Sequence, residues 1–322
     1  MVHLHEHMLD DDEHMYDEDN GEYEEEYEEV EEVVDNLPMH IANRIYLGSI
    51  DAANNASGLE AKNIRMVLSL LSDYDTLQLP LDYLVHVRVA VEDDFDEPLF
   101  GKLPYLVECI HNFLTTEPDG NILVHCIAGV SRSASAVIAY LMATESIDFD
   151  AALDHVRMSR PWVDPNEHFR AHLRLFHDIL TNVENPDLLG TLEQLALPRL
   201  HFHASFVAPI TTHGPTTKTL TIRLDSDKIH DPNSDLASIY RFSTIAAITD
   251  KAASPFAYLH VTHVEACTVD ELTPDHAAAE GLASVGDLWR TLHQFYPAIT
   301  GASPIVTIHF RLLVATSIPT SS

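Results

Sequence analysis

Apolar and β-branched residues fill Ile122–Val124, then give way to a glycine-containing loop and the small, apolar run "SASAVIAYLMA" from Ser133. This is the pattern of a buried strand, a turn and a helix opening beside it. Upstream, the apolar strand of "VRVAVEDDFDEPLF" ends in an acidic loop and is followed by the amphipathic "LPYLVECIHNFL"; downstream, "PNEHFRAHLRLFHDIL" predicts a helix that closes this half of the chain near Leu180. After "TNVENPDLLGTLEQLALP", a linker with a short helical turn, the rhythm changes. "RLHFHASFVAPI", "KTLTIRL", "FAYLHVTHVEAC" and "SPIVTIHFRLLVAT" are β-branched and largely alternating, and only "TPDHAAAEGL" and "VGDLWRTLHQFY" have helical periodicity. The second half therefore predicts a small β-barrel decorated with helices.

Charge divides the chain a third way. Residues 1–36 hold 17 Asp or Glu and no Lys or Arg, whereas residues 199–322 hold 11 acidic against 8 basic residues within a total net charge of −33. A segment this acidic and this poor in apolar residues cannot offset its ordering entropy, which predicts a disordered tail over residues 1–37. It serves either as a solubiliser or as a pseudosubstrate over a cationic pocket; the alternating His3, His5 and His7 offer at most weak metal binding. Three cysteines, Cys109, Cys126 and Cys267, show neither disulfide pairing nor zinc spacing, so no metal and a reducing compartment are expected. No apolar run reaches the roughly 20 residues of a membrane span, and the N-terminal sequence lacks the basic start and apolar centre of a cleavable signal. These features predict a cytoplasmic or nuclear protein with no membrane partner.

The chemistry concentrates in "ILVHCIAGVSRSAS". The amides of Ile127, Ala128, Gly129, Val130, Ser131 and Arg132 can converge on one phosphate at a helix N-terminus, an environment that also lowers a thiol pKa and makes Cys126 a ready nucleophile. Arg132 supplies a bidentate guanidinium, Ser133 can donate to the sulfur as it leaves, and His125 supports the loop from the strand side. The run H-C-x-A-G-x-S-R-S resembles the signature loop of cysteine-dependent dual-specificity protein phosphatases, and the similarity extends from "IANRIYLGSIDAANNASGLEAKNI" to "PWVDPNEHFRAHLRLF". That resemblance implies an α/β fold with a central sheet flanked by helices, no cofactor, and phosphoprotein substrates carrying phosphotyrosine, phosphoserine or phosphothreonine. It also implies a general acid on the loop about thirty residues upstream; alignment selects Asp93, expected to have a raised pKa in the closed site, with Asp94 as the alternative and Asp96 also on the loop. Because members of that family that act on inositol lipids tend to carry lysines in this loop, the resemblance, with Ile127, Val130 and Ser131 at those positions, implies phosphoprotein rather than phosphoinositide. The competing reading is a catalytically weak scaffold or pseudophosphatase.

A second resemblance lies downstream. "KTLTIR", preceded by "ITTHG", together with "VEACTVDELTPDHAAAEGLASVGDLWRTLHQFYP" and "PIVTIHFRLL", is similar to ASCH domains of PUA-like fold, in particular those that hydrolyse N(4)-acetylcytidine. It implies a second site of Lys218, Thr221 and Glu280 with Arg223 nearby, binding or deacylating a modified nucleoside. The competing reading of "KTLTIR" is an ordinary alternating strand with a polar face, and the inserted "PTT" before Lys218 alters the loop that positions it. Eight cations scattered over a net acidic segment argue against long nucleic acid as a partner. The expected organisation is a tail over 1–37, a phosphatase domain over 38–182, a linker over 183–198 and an ASCH domain over 199–322.

Overall fold

The parallel register of the first sheet places the strand before Cys126 at its centre. The computed structural model describes residues 35–212, 217–224, 235–249 and 254–316; residues 1–34 of the expected acidic tail, with its histidines, and Pro215 and Thr216 of the "PTT" insertion lie outside them. A hairpin of β1 (Met39–Ala42) and β2 (Ile45–Gly48) leads through α1 (Ile50–Asn54) and α2 (Ala56–Ala61) to β3 (Ile64–Leu71), β4 (Val85–Ala90), α3 (Leu99–Thr116), β5 (Asn121–His125), α4 (Arg132–Glu145), α5 (Phe149–Ser159) and α6 (Glu167–Thr181). The sheet order is β1-β2-β5-β3-β4, antiparallel only at β1.

Both faces of β3 and β5 are covered, which is why these strands read as continuous apolar runs. Leu68, Leu70, Ile122 and Val124 pack beneath α3 to α6, while Val67 and Leu123 meet Ala53 and Leu59 of the α1–α2 side. Helix α4 is the centre of the helical layer and is buried from Arg132 to Met142. A helix surrounded this completely fixes its own N-terminus, and with it the loop from Cys126 to Ser131.

The second half comprises α7 (Leu188–Gln194), β6 (Arg199–Phe202), α8 (Val207–Thr211), β7 (Leu220–Leu224), β8 (Thr244–Thr249), β9 (Ala257–Thr268), α9 (Pro274–Ala279), α10 (Val285–Phe295) and β10 (Pro304–Ala315). Its five strands run in the order β6-β8-β9-β10-β7. Among the described residues no backbone ladder joins β6 to β7, so the expected barrel is not closed by strand pairing; the two edge strands meet instead through the Arg223 side chain, which donates to His201 O at 2.6 Å. The segment expected to be a linker contributes α7, whose Leu192 is buried against the first core. Ala246 and Tyr258 of the second sheet belong to that same core, and Arg311 donates to Ile179 O and Asn182 Oδ1 at the end of α6.

Candidate active site

Strand β5 ends at His125, and the chain turns through Cys126–Ser131 into α4. Gly129 makes the turn possible: its φ is 65°, and an added Cβ would stand 2.5 Å from Gly48 O. The loop carbonyls are held from behind. Ile50 N–H donates to Ile127 O at 2.9 Å, and the wholly buried Arg160 donates to Ala128 O and Gly129 O at 2.8 Å each. Because a trans peptide carries its N–H opposite its C=O, fastening these carbonyls on one side directs the following amides to the other. Accordingly Gly129 N–H donates to Cys126 Sγ at 3.2 Å, and Ser133 Oγ donates to the same sulfur at 3.2 Å.

Arg132 is buried and its guanidinium is only partly satisfied. It donates through Nη1 to Val91 O at 3.2 Å, lies 3.6 Å from Asp75 Oδ2, and keeps Nε, 3.7 Å from Asp93 Oδ2, without a hydrogen-bond partner. Asp93 Oδ1 accepts from Ser131 Oγ at 2.7 Å and from Asn166 Nδ2 at 2.9 Å. Asp94 instead accepts from Asp96 N–H at 3.0 Å, so of the three loop aspartates Asp93 is the one beside Arg132.

The acid loop is stapled by a residue that sequence reading overlooked. Glu97 is buried, accepts from Glu92 N–H at 2.9 Å and pairs with Lys102, which also donates to Ala90 O. Asn166 was legible as an N-cap, an Asn directly before the Glu that opens a helical run, and its Oδ1 does accept from Phe169 N–H. Asp75, Arg160 and Asp35, which forms a bidentate pair with Arg160, carried no local signal.

His125 is fully buried. Its Nδ1 donates to Cys126 O at 2.9 Å, so in the neutral ring Nε2 accepts from Ser69 Oγ at 2.7 Å, leaving that oxygen to accept from His86 Nε2 at 2.8 Å. Burial pushes the His125 pKa down from 6.5 to about 4, and the charges of His86 and Arg132 add to the shift. The unfolded chain therefore takes up this proton first as pH falls through 6.5. His125 leaves stability intact above that pH and lowers it down to about pH 4, by on the order of 3 kcal/mol. Urea unfolding between pH 7.5 and 4.5 should show this as a shallower pH dependence in His125→Gln than in the native chain; parallel curves would remove His125 as a source.

The second group of expected residues borders one cavity of about 390 Å³. Lys218 precedes β7 rather than lying on it, since its N–H donates to Pro209 O and the ladder starts at Leu220. It is buried, pairs with Glu280, and sits 4.4 Å from the centre of the Phe206 ring. Glu280 Oε1 accepts from Ile222 N–H at 3.0 Å, and Arg223 donates to Thr221 Oγ1 at 2.6 Å. Burial and the Arg223 charge hold the Lys218 ammonium well below its usual pKa.

The model of the dual specificity phosphatase catalytic domain matches residues 45–179. Over 143 residues the chain is 34% identical to dual specificity protein phosphatase 1 of Arabidopsis thaliana, covering 44% of this chain and 69% of that protein. The chain belongs to the dual specificity phosphatase family. It is also 32% identical over 155 residues to MAP kinase phosphatase with leucine-rich repeats protein 3 of Dictyostelium discoideum, of which it spans only 18%. Among solved structures, human DUSP28 aligns with 45% of this chain and 95% of its own at 26% identity and a TM-score of 0.41. The dual specificity phosphatase catalytic domain thus contains every residue of the Cys126 loop, Asp93 and Asn166.

Proposed function

We propose that the protein hydrolyses phosphotyrosine and phosphoserine or phosphothreonine on protein substrates through a cysteinyl-phosphate. The observation that carries this reading is the convergence on Cys126 Sγ of Gly129 N–H and Ser133 Oγ, beside a buried Arg132 whose Nε awaits an acceptor. The sulfur attacks phosphorus while Arg132 and the loop amides take up the charge of the equatorial oxygens, and Asp93 gives its proton to the departing oxygen. Water then attacks the phosphoryl group, returning a proton to Asp93, and Ser133 hydrogen-bonds the thiolate as the S–P bond breaks.

Turnover of a small aryl phosphate by the full chain, beside a Cys126→Ser control, tests the reading. Activity no higher than the control would leave the scaffold alternative. Asp93→Asn is expected to slow phosphoserine release by about 10²-fold or more, and an activated aryl phosphate, which barely needs an acid, by less than about tenfold. The same pattern in Asp94→Asn instead would reassign the acid.

For the second half, the buried Lys218–Glu280 pair beside Thr221 in one cavity supports an ASCH-like module that binds or deacylates a modified nucleoside. A neutral Lys218 accepts the Thr221 hydroxyl proton, the oxygen attacks the acyl carbon, and a protonated Glu280 gives its proton to the leaving amine; water, losing a proton to Glu280, then attacks the acyl-threonine, and Lys218 returns its proton to the Thr221 oxygen as the acid leaves. Release of acetate from N(4)-acetylcytidine that disappears in Thr221→Ala supports catalysis. Binding without release makes the module a receptor, and neither makes it structural.

A further inference from the structure

Four loops meet at Arg132. Asp75 brings the loop after β3, Asp93 brings the acid loop, Cys126–Ser131 is the phosphate loop, and the α5–α6 connection joins through Asp164 N–H to Val130 O at 3.0 Å and Asn166 N–H to Ser131 Oγ at 3.3 Å. Each loop carries one large apolar side chain turned to solvent: Tyr74 at 91% exposure, Phe95 at 68%, Ile127 at 37% and Trp162 at 39%. Isolated exposed apolar residues are ordinary, and the Trp162 ring packs on Arg160 behind the phosphate loop, but Tyr74, Phe95 and Ile127 on three loops around a single anion pocket make an apolar rim.

The charges these loops expose are acidic. Residues 72–75, 92–98, 126–131 and 160–166 contain no Lys, and their one Arg, Arg160, is wholly buried behind the phosphate loop. Some of their carboxylates are compensated: Asp164 by Arg157 and Arg170, and Glu97 by Lys102. Asp94 and Asp96 are exposed on the acid loop, with Asp73 on the loop after β3. Asp75 and Asp93 lean on Arg132, the group a phosphate would occupy. Charge for a bound phosphate comes from Arg132 and the amides, while the rim repels any further anion.

Resting on the phosphatase reading, we propose that this rim selects phosphopeptides with Lys or Arg flanking the phosphoresidue and an aliphatic or aromatic residue beside it, and rejects acidic peptides and multiply phosphorylated ligands. An entering phosphate takes Arg132 from Asp75 and Asp93; the substrate's own cations replace it beside Asp75 and meet the exposed Asp73, Asp94 and Asp96, while Asp93 takes up the proton it passes to the leaving oxygen. Tyr74, Phe95 and Ile127 then cover the apolar neighbour.

The test compares three phosphotyrosine peptides alike except at the flanks: Arg/Lys with Leu, Asp/Glu with Leu, and Arg/Lys with Gly. Each is assayed for kcat/KM with the full chain and for affinity with Cys126→Ser. Basic flanks are expected to exceed acidic ones by about 10- to 100-fold at low ionic strength, with the gap shrinking as salt screens the rim. Asp94→Lys with Asp96→Lys should narrow the gap, and Phe95→Ala should weaken the preference for Leu over Gly. Equal or reversed charge preference in both assays overturns the proposal. Loss of Cys126-dependent aryl phosphate turnover overturns the phosphatase reading instead, and the Cys126→Ser affinities then still decide whether the rim discriminates.

Discussion

Cys126→Ser is expected to lower aryl phosphate turnover by at least about 10⁴-fold and Arg132→Ala by about 10³-fold, with neither unfolding the protein. In the first, a neutral hydroxyl replaces the sulfur that accepts from Gly129 N–H and Ser133 Oγ, so the attacking group is lost while the side chain keeps nearly its size. In the second, phosphate loses its guanidinium and faces Asp75 and Asp93 without a cation between them. Removing a positive charge that sits between two carboxylates should also abolish binding of inorganic phosphate as a competitive inhibitor. Urea midpoints beside the kinetics separate lost chemistry from lost structure, and residual turnover above a few per cent in either variant would contradict the assigned roles.

The second large effect belongs to Arg160, which touches no substrate. One guanidinium holds Ala128 O, Gly129 O and both oxygens of Asp35, and it lies 4.9 Å from the Trp162 ring centre. Arg160→Met keeps much of the volume but leaves a carboxylate and two loop carbonyls without donors. Breaking a buried pair in this way costs about 3–5 kcal/mol, and a phosphate loop freed by even about 1 Å loses about 10²-fold in kcat/KM. Arg160→Lys should recover little, since an ammonium cannot reproduce the fork that reaches two carbonyls and a carboxylate together. Asp35→Asn should be milder in both respects. Near-native stability in Arg160→Met, read by urea unfolding, would show that the loop holds itself.

These residues mark how far the sequence could be read. The strand, loop and helix around Cys126 were legible because a continuous apolar run, a glycine and a small-residue helix are all local signals, and the nucleophile and Arg132 lie within them. Asp93 was reachable by its distance from that loop, whereas its fixation by Ser131 and Asn166 depends on where α6 begins relative to α4, which is a tertiary fact. Arg160 and Asp35 are 125 positions apart and meet only because the β1 end of the sheet passes behind the loop. In the second half, Lys218 and Thr221 would project to opposite faces of a regular strand. They share a cavity because the strand starts at Leu220, after Lys218 has been tied to Pro209 O. The alternating pattern foretold strands but not their order, and nothing local indicated that Leu192, Ala246 and Tyr258 would be buried in the core of the first half.

The central claim is that Cys126 carries the phosphoryl group. Rapid acid quench of the full chain during turnover of an aryl phosphate, followed by digestion and mass analysis, tests it directly. One phosphoryl group on the peptide containing Cys126, absent in Cys126→Ser and accumulating when Ser133→Ala slows its breakdown, is the result the account predicts; turnover with that peptide unmodified in every sample would contradict it.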